Sequence, residues 1–287
     1  MIQTIIRANL KVKELSWTTV DGLKLFARLW QPIGEVKAVV CLLHGIGEHT
    51  GRFIHVGEVF NKYGIALLGA DWRGHGKSEG RKGYFPSTDA IIDDIDILIM
   101  KATQLFPRVP QFLYGQSLGA ILALYYGLVK SPAINGIIAT SPALHSSLDK
   151  QSVKIAIASI LGKMFPEMSL HSGLKPQELS KDPETVRRYI EDPLVHYELT
   201  LGFAKILINI RRWMLNNSCN FQVPLLLMHG SDDTIAYISG SKQFALPIGD
   251  KCEFITWEGA LHELHNEPEK EEVLKTIVTW INQNCHA

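Results

Sequence analysis

The stretch QFLYGQSLGAILALYYG, residues 111–127, decides the fold. Its first part is apolar and β-rich, its last part reads as a buried helix, and Gly115-Gln116-Ser117-Leu118-Gly119 makes a sharp turn between them. Glycines two positions to either side relieve crowding in a turn that exposes the Ser117 hydroxyl, and the helix behind it presents backbone NH groups to a developing oxyanion. Alone, G-x-S-x-G is a short pattern that chance produces, and a glycine-rich turn is the plain alternative. A strand before it and a helix after it favour a nucleophile at Ser117. The same context explains the uncharged run 109–129, which matches a membrane span in length but contains Pro110, Gln111, Gln116 and Ser117.

A serine nucleophile needs a base, and the base needs an orienting carboxylate. Both follow at strand ends: HGSDD (229–233) after VPLLLM, and EGALHELHNE (258–267) after CEFITW, in the chain order Ser, Asp, His. Adjacent Asp232 and Asp233 point differently, so one of them reaches the imidazole, and Asp233 is preferred. His262 lies in the loop right after the strand, whereas His265 stands three residues nearer the last helix, so His262 is preferred as base. The loop His44-Gly45-Ile46-Gly47-Glu48-His49 follows the apolar run AVVCLL and lets backbone approach a substrate. The NH groups of Ile46 and Leu118 are the expected oxyanion pair.

Working outward, AVVCLLH (38–44) and IALLGAD (65–71) read as buried strands like QFLYGQ, and GIIATSP (136–142), VPLLLMHG (223–230) and KCEFITWEG (251–259) as three more strands, with helical patterns between several of them. Ile91, Ile95, Leu98, Ile99 and Ala102 recur at helical spacing, with Ser87 or Thr88 as N-cap. Two β-rich runs within 15–30 flank Asp21-Gly22, which suits a two-residue hairpin turn. The expectation is an α/β domain with a mostly parallel sheet of roughly eight strands flanked by helices. Between Ala143 and Asn220 helix-like segments follow one another with no convincing strand. That insertion should project over the carboxyl ends of the neighbouring strands.

Lys+Arg and Asp+Glu are 29 each in 287 residues, so no whole-chain field attracts phosphates and nucleic acid is not the expected partner. The four cysteines are far apart and lack a CxxC pair, which fits reduced thiols. The start MIQTIIRANLKVKE has charges where a signal peptide is apolar, so a cytoplasmic protein is expected, peripheral to membrane at most. GIGEHTG is a near miss to a dinucleotide loop, but its third glycine is one residue late and Glu48 would face a pyrophosphate. HELH (262–265) lacks the spacing of a zinc-binding pair, and Asp93, Asp94 and Asp96 read as a solvated helix face; no metal is expected.

Together HGIGEHTGRF, DWRGHGKSEGRKGY, YGQSLGA, SPAL, HGSDDTI and EGALHELHNE resemble the monoacylglycerol lipase and lysophospholipase family of α/β hydrolases, over roughly residues 15–281. The resemblance implies an α/β-hydrolase fold with residues 1–142 and 221–287 as catalytic domain and 143–220 as a helical cap. It implies Ser117 as nucleophile, Asp233 as acid, His262 as base and Ile46 and Leu118 as oxyanion donors, with no cofactor. In similar proteins the loop seen here as Asp71 to Ser78 is structural, so His75 is not the base. Gln116 stands where many relatives have His, Leu118 where Met is frequent, and Asp232 where a small residue is common, which bears on substrate preference. Val153, Ile157, Ile160, Leu161 and Met164 form an apolar stripe in the insertion that could face lipid or pack on the catalytic domain. The expected substrate is a monoacylglycerol or other single-chain lipid ester. A short-chain carboxylesterase or lysophospholipase is the nearest alternative, and a non-catalytic ligand-binding protein of the same fold a more distant one.

Overall fold

A computed structural model describes residues 4–7, 10–146 and 164–285. Strands β1 (Thr4–Arg7), β2 (Leu10–Thr18), β3 (Lys24–Gln31), β4 (Ala38–Leu43), β5 (Ile65–Ala70), β6 (Gln111–Gln116) and β7 (Gly136–Thr140) occupy the first half. Helices α1 (Ile54–Lys62), α2 (Thr88–Leu105) and α3 (Leu118–Lys130) alternate with them. After β7 come β8 (Ser169–His171), α4 (Pro183–Glu191), β9 (Glu198–Thr200) and α5 (Leu201–Asn217), then β10 (Leu225–Gly230), α6 (Ile238–Ala245), β11 (Cys252–Trp257) and α7 (Lys270–Asn284).

The main sheet runs β1-β2-β3-β5-β4-β6-β7-β10-β11. From β5 to β11 every pairing is parallel, while β1, β2 and β3 enter antiparallel. This is the expected α/β-hydrolase architecture, with the eight expected strands present and β1 added at the edge. All six residues of β4 are buried because both faces are covered. Val39, Cys41 and Leu43 enter one core with Ile91 and Ile95 of α2 and Ala120 and Leu124 of α3. Ala38, Val40 and Leu42 enter the other with Val56 and Phe60 of α1 and Val273 and Ile277 of α7. A period of two in the strand meets helical stripes above and below.

Ser87 caps α2, its Oγ accepting from Ala90 N at 3.1 Å. Three expectations change. The β2–β3 connection spans residues 19–23 instead of a two-residue turn: Thr19 N donates to Leu23 O at 2.8 Å, and of Asp21 and Gly22 only Gly22 takes a positive φ, 91°. The aspartates of α2 do not all lie on a solvated face: Asp94 is buried against Arg73 (2.8 Å), while part-exposed Asp96 accepts from Tyr126 Oη at 2.6 Å and pairs with Lys130. The insertion contains an antiparallel pair, β8 with β9, whose three-residue strands are too short to carry a periodic signal. Of the apolar stripe, Val153, Ile157, Ile160 and Leu161 lie outside the described residues, and Met164 is 66% exposed. No helix among the described residues is long and apolar enough to cross a membrane.

Candidate active site

Parallel β4, β6, β10 and β11 all end at one edge of the sheet, and their next loops carry the residues singled out by sequence. Ser117 stands between β6 and α3 with φ 53° and ψ −110°, a conformation that costs a non-glycine residue about 1–3 kcal/mol. Its NH donates to Thr140 O at 3.0 Å and its carbonyl accepts from Ile121 N at 3.1 Å, which hold the turn. A side chain on Gly115 would overlap the carbonyl of Gly119, so that position of the motif is fixed sterically.

Ser117 Oγ donates to His262 Nε2 at 2.8 Å, and His262 Nδ1 donates to Asp233 Oδ2 at 2.7 Å. The other carboxylate oxygen of Asp233 accepts from Ile235 N and Ala236 N, each at 2.9 Å, which fixes its plane. His229 Nε2 lies 3.3 Å from Asp233 Oδ2. Burial opposes ionisation of Asp233, but the charge of His262 and hydrogen bonds from His229 and His262 hold its carboxyl well below the usual range. At His262 burial alone would favour the neutral ring. The charge of Asp233 and its hydrogen bond overcome that and push the imidazole up, with Glu263 and Glu48 adding to the effect.

The rejected candidates go elsewhere. Asp232 is exposed and accepts from Ser231 Oγ at 2.9 Å. His265 is buried, stacked on Phe53 at 4.5 Å, and burial pushes it down to about 3. His75 is buried with Nδ1 3.0 Å from Arg73 O, away from the serine's bonding partners.

Ile46 lines a cavity of about 10 Å³ with Ser117, Gln116 and His262, and Leu118 opens α3 behind the serine. Leu174, Leu179 and Tyr189 of the insertion also line it. Sequence reasoning missed a buried cluster at its rim. Arg52 Nη1 lies 2.5 Å from Glu48 Oε2, and its fork reaches both oxygens of Glu263 at 2.6 and 2.7 Å. Glu48 and Arg52 stand four residues apart, a visible helical spacing, but nothing in the sequence joins them to Glu263. Among the described residues no group of His, Cys, Asp or Glu is arranged to hold a metal ion.

Comparison with known proteins shows the family. Residues 34–269 match the Hydrolase_4 family, described as serine aminopeptidase, S33. A monoacylglycerol lipase of Mycolicibacterium smegmatis is 30% identical over 93% of this chain and 96% of its own. The crystal structure of a Paleococcus ferrophilus monoacylglycerol lipase superposes with a TM-score of 0.83 at 32% identity, covering 91% of this chain and 99% of that one. An uncharacterized abhydrolase domain-containing protein of Dictyostelium discoideum is 36% identical over 92% of this chain, which spans 28% of that protein's length. With the family matched along most of its length and lipases of this type as full-length relatives, the chain belongs to the Hydrolase_4 family of α/β hydrolases and is a serine hydrolase of carboxylic esters.

Proposed function

We propose that this enzyme hydrolyses monoacylglycerols to glycerol and fatty acid through an acyl-enzyme on Ser117. The observation that carries the chemistry is the unbroken chain of short hydrogen bonds from Ser117 Oγ through His262 to Asp233. Relatives named monoacylglycerol lipase, 30% and 32% identical, support the substrate class.

In the first half-reaction Ser117 Oγ bonds to the ester carbonyl carbon while its proton passes to His262 Nε2. The carbonyl electrons move onto oxygen, where the NH groups of Ile46 and Leu118 receive the negative charge. Collapse of this adduct breaks the bond to the alcohol oxygen, which takes the proton from Nε2. Water then gives a proton to Nε2 and attacks the acyl carbon, and Ser117 Oγ leaves reprotonated. Throughout, Asp233 keeps the Nδ1 proton in place and stabilises the ring while it is charged.

Residues 143–220 serve as a cap in this reading. Leu174, Leu179 and Tyr189 of the insertion wall a small cavity together with Ser117 and His262, which sets the insertion over the nucleophile. Met164, Phe165 and Met168 are exposed and suit brief contact with a lipid surface. Sedimentation with anionic liposomes in physiological salt should leave most of the protein in the supernatant; most of it in the pellet would contradict brief contact.

The test of the substrate is hydrolysis of a monoacylglycerol series beside short p-nitrophenyl esters. Rates that peak on medium or long monoacylglycerols are expected. Activity confined to the short esters would make the enzyme a general carboxylesterase instead.

A further inference from the structure

Glu48 and Glu263 belong to the two loops that complete the site, one after β4 and one after β11, and a single guanidinium holds both. Glu48 Oε1 accepts from Gly45 N at 2.6 Å, so its carboxylate braces the turn that presents Ile46 NH. Its other oxygen meets Arg52. Glu263 directly follows His262, takes the Arg52 fork on both oxygens, and also accepts from Asn266 Nδ2 at 2.7 Å. Glu263 N donates to Leu179 O at 2.8 Å, and the Arg52 guanidinium lies 4.6 Å over the Tyr189 ring, so the insertion closes the cluster from above. All three charged side chains are nine-tenths or more buried.

Resting on the proposed roles of Ser117, His262 and Ile46, we infer that Arg52 is a positioning residue that locks the oxyanion loop to the base loop, while the carboxylates it holds stabilise the charged His262 ring. Only the planar fork can do this. Lysine offers a compact point charge that cannot grip two carboxylates in a fixed plane. Glu263, gripped on both oxygens by Arg52, is the carboxylate that stays ionised beside the imidazole, and Glu48 adds negative charge there once it loses its own proton. Burial and the Glu263 charge push Glu48 up, while Arg52 holds Glu263 down against its own burial. The charged or titratable groups around the cluster include His262 and His265 of the base loop, Asp233 beyond His262, His44 of the loop after β4, His55 of α1, Tyr114 of β6, Tyr189 of α4, Tyr197 before β9 and Lys270 at the start of α7.

The experiment measures kcat, KM and the pH profile of ester hydrolysis for wild type, Arg52→Lys and Glu263→Gln, each normalised to active sites titrated with a fluorophosphonate. Arg52→Lys should lower kcat per site by about ten- to a hundred-fold with KM little changed, as expected for misplaced catalytic groups. Glu263→Gln keeps the shape and a hydrogen-bond acceptor for Arg52 but removes charge beside His262. Its acid limb should move down by about one pH unit, because the ring then holds its proton less tightly. If Arg52→Lys does not fold, Glu263→Gln alone decides. A normalised kcat for Arg52→Lys within two-fold of wild type, or an unmoved acid limb for Glu263→Gln, overturns the inference. Ser117→Ala run alongside separates the two levels: full activity there means that the reading of the triad has failed, whatever Arg52 does.

Discussion

The carbonyl oxygen of Leu43, the last residue of β4, occupies the space where a side chain on Gly119 would begin. The first turn of α3 is thereby pressed against the end of the neighbouring strand, and Ser117 is lifted to the rim of the sheet. This contact explains the second glycine of G-x-S-x-G without reference to substrate. Gly119→Ala forces backbone apart from backbone and should destabilise the fold by about 1–3 kcal/mol or more. Urea denaturation measures it, and unchanged stability would show that the turn has slack the contact denies.

The two adjacent aspartates give a sharp internal control. Asp233→Asn keeps the shape but frees His262 to take the wrong tautomer, and kcat should fall by about 10⁴. Asp232→Asn, at an exposed position, should leave kcat close to wild type. Steady-state kinetics on one soluble ester decides; equal losses in the two variants would contradict the assignment.

His262 must be neutral to accept the serine proton, and its pairing with Asp233 raises it above the ordinary 6.5. The acid limb of kcat/KM is therefore expected above that value. For stability the same pair acts at both ends of the scale. The contribution of His262 is fully present below 6.5 and is lost as pH rises through its raised folded value. That of Asp233 is present above 3.8 and is lost as pH falls through its depressed one. A pH–rate profile and denaturation midpoints across pH test both statements, and an acid limb at or below 6.5 contradicts the first.

Arg73 of the DWRGHG loop bonds both oxygens of buried Asp94 at 2.8 Å and reaches half-exposed Asp21 at 2.7 Å. Its work is structural. Arg73→Met leaves Asp94 buried and unpaired, and the expected loss of stability is about 3–5 kcal/mol. Adding Asp94→Asn should recover part of it, while kcat per titrated site stays near wild type in both. A large fall in normalised kcat would show that this loop reaches the chemistry.

Much of this was legible because burial on both faces writes strands as unbroken apolar runs, as in residues 38–43 and 223–230. The order Ser117, Asp233, His262 was readable because each residue lies in the loop that follows a strand, although the last of these, β11, is a half-buried edge strand that carries Glu253 and Thr256. β1 was not, since a four-residue edge strand needs β2 to exist at all. Asp94 misled because helical periodicity places it on the polar side, and only Arg73, supplied by a loop 21 positions earlier, makes its burial tolerable. Glu48 read as an obstacle to phosphate; its partner Glu263 lies 215 positions on, beyond any local pattern.

Every step of the hydrolysis depends on Ser117 becoming acylated. Incubation with a fluorophosphonate, followed by proteolysis and mass spectrometry, tests it directly. A single adduct on the peptide carrying Ser117, lost in Ser117→Ala together with ester hydrolysis, is the predicted result. An unlabelled Ser117 in a protein that still hydrolyses esters, or an adduct at another residue, would show that Ser117 is not the nucleophile.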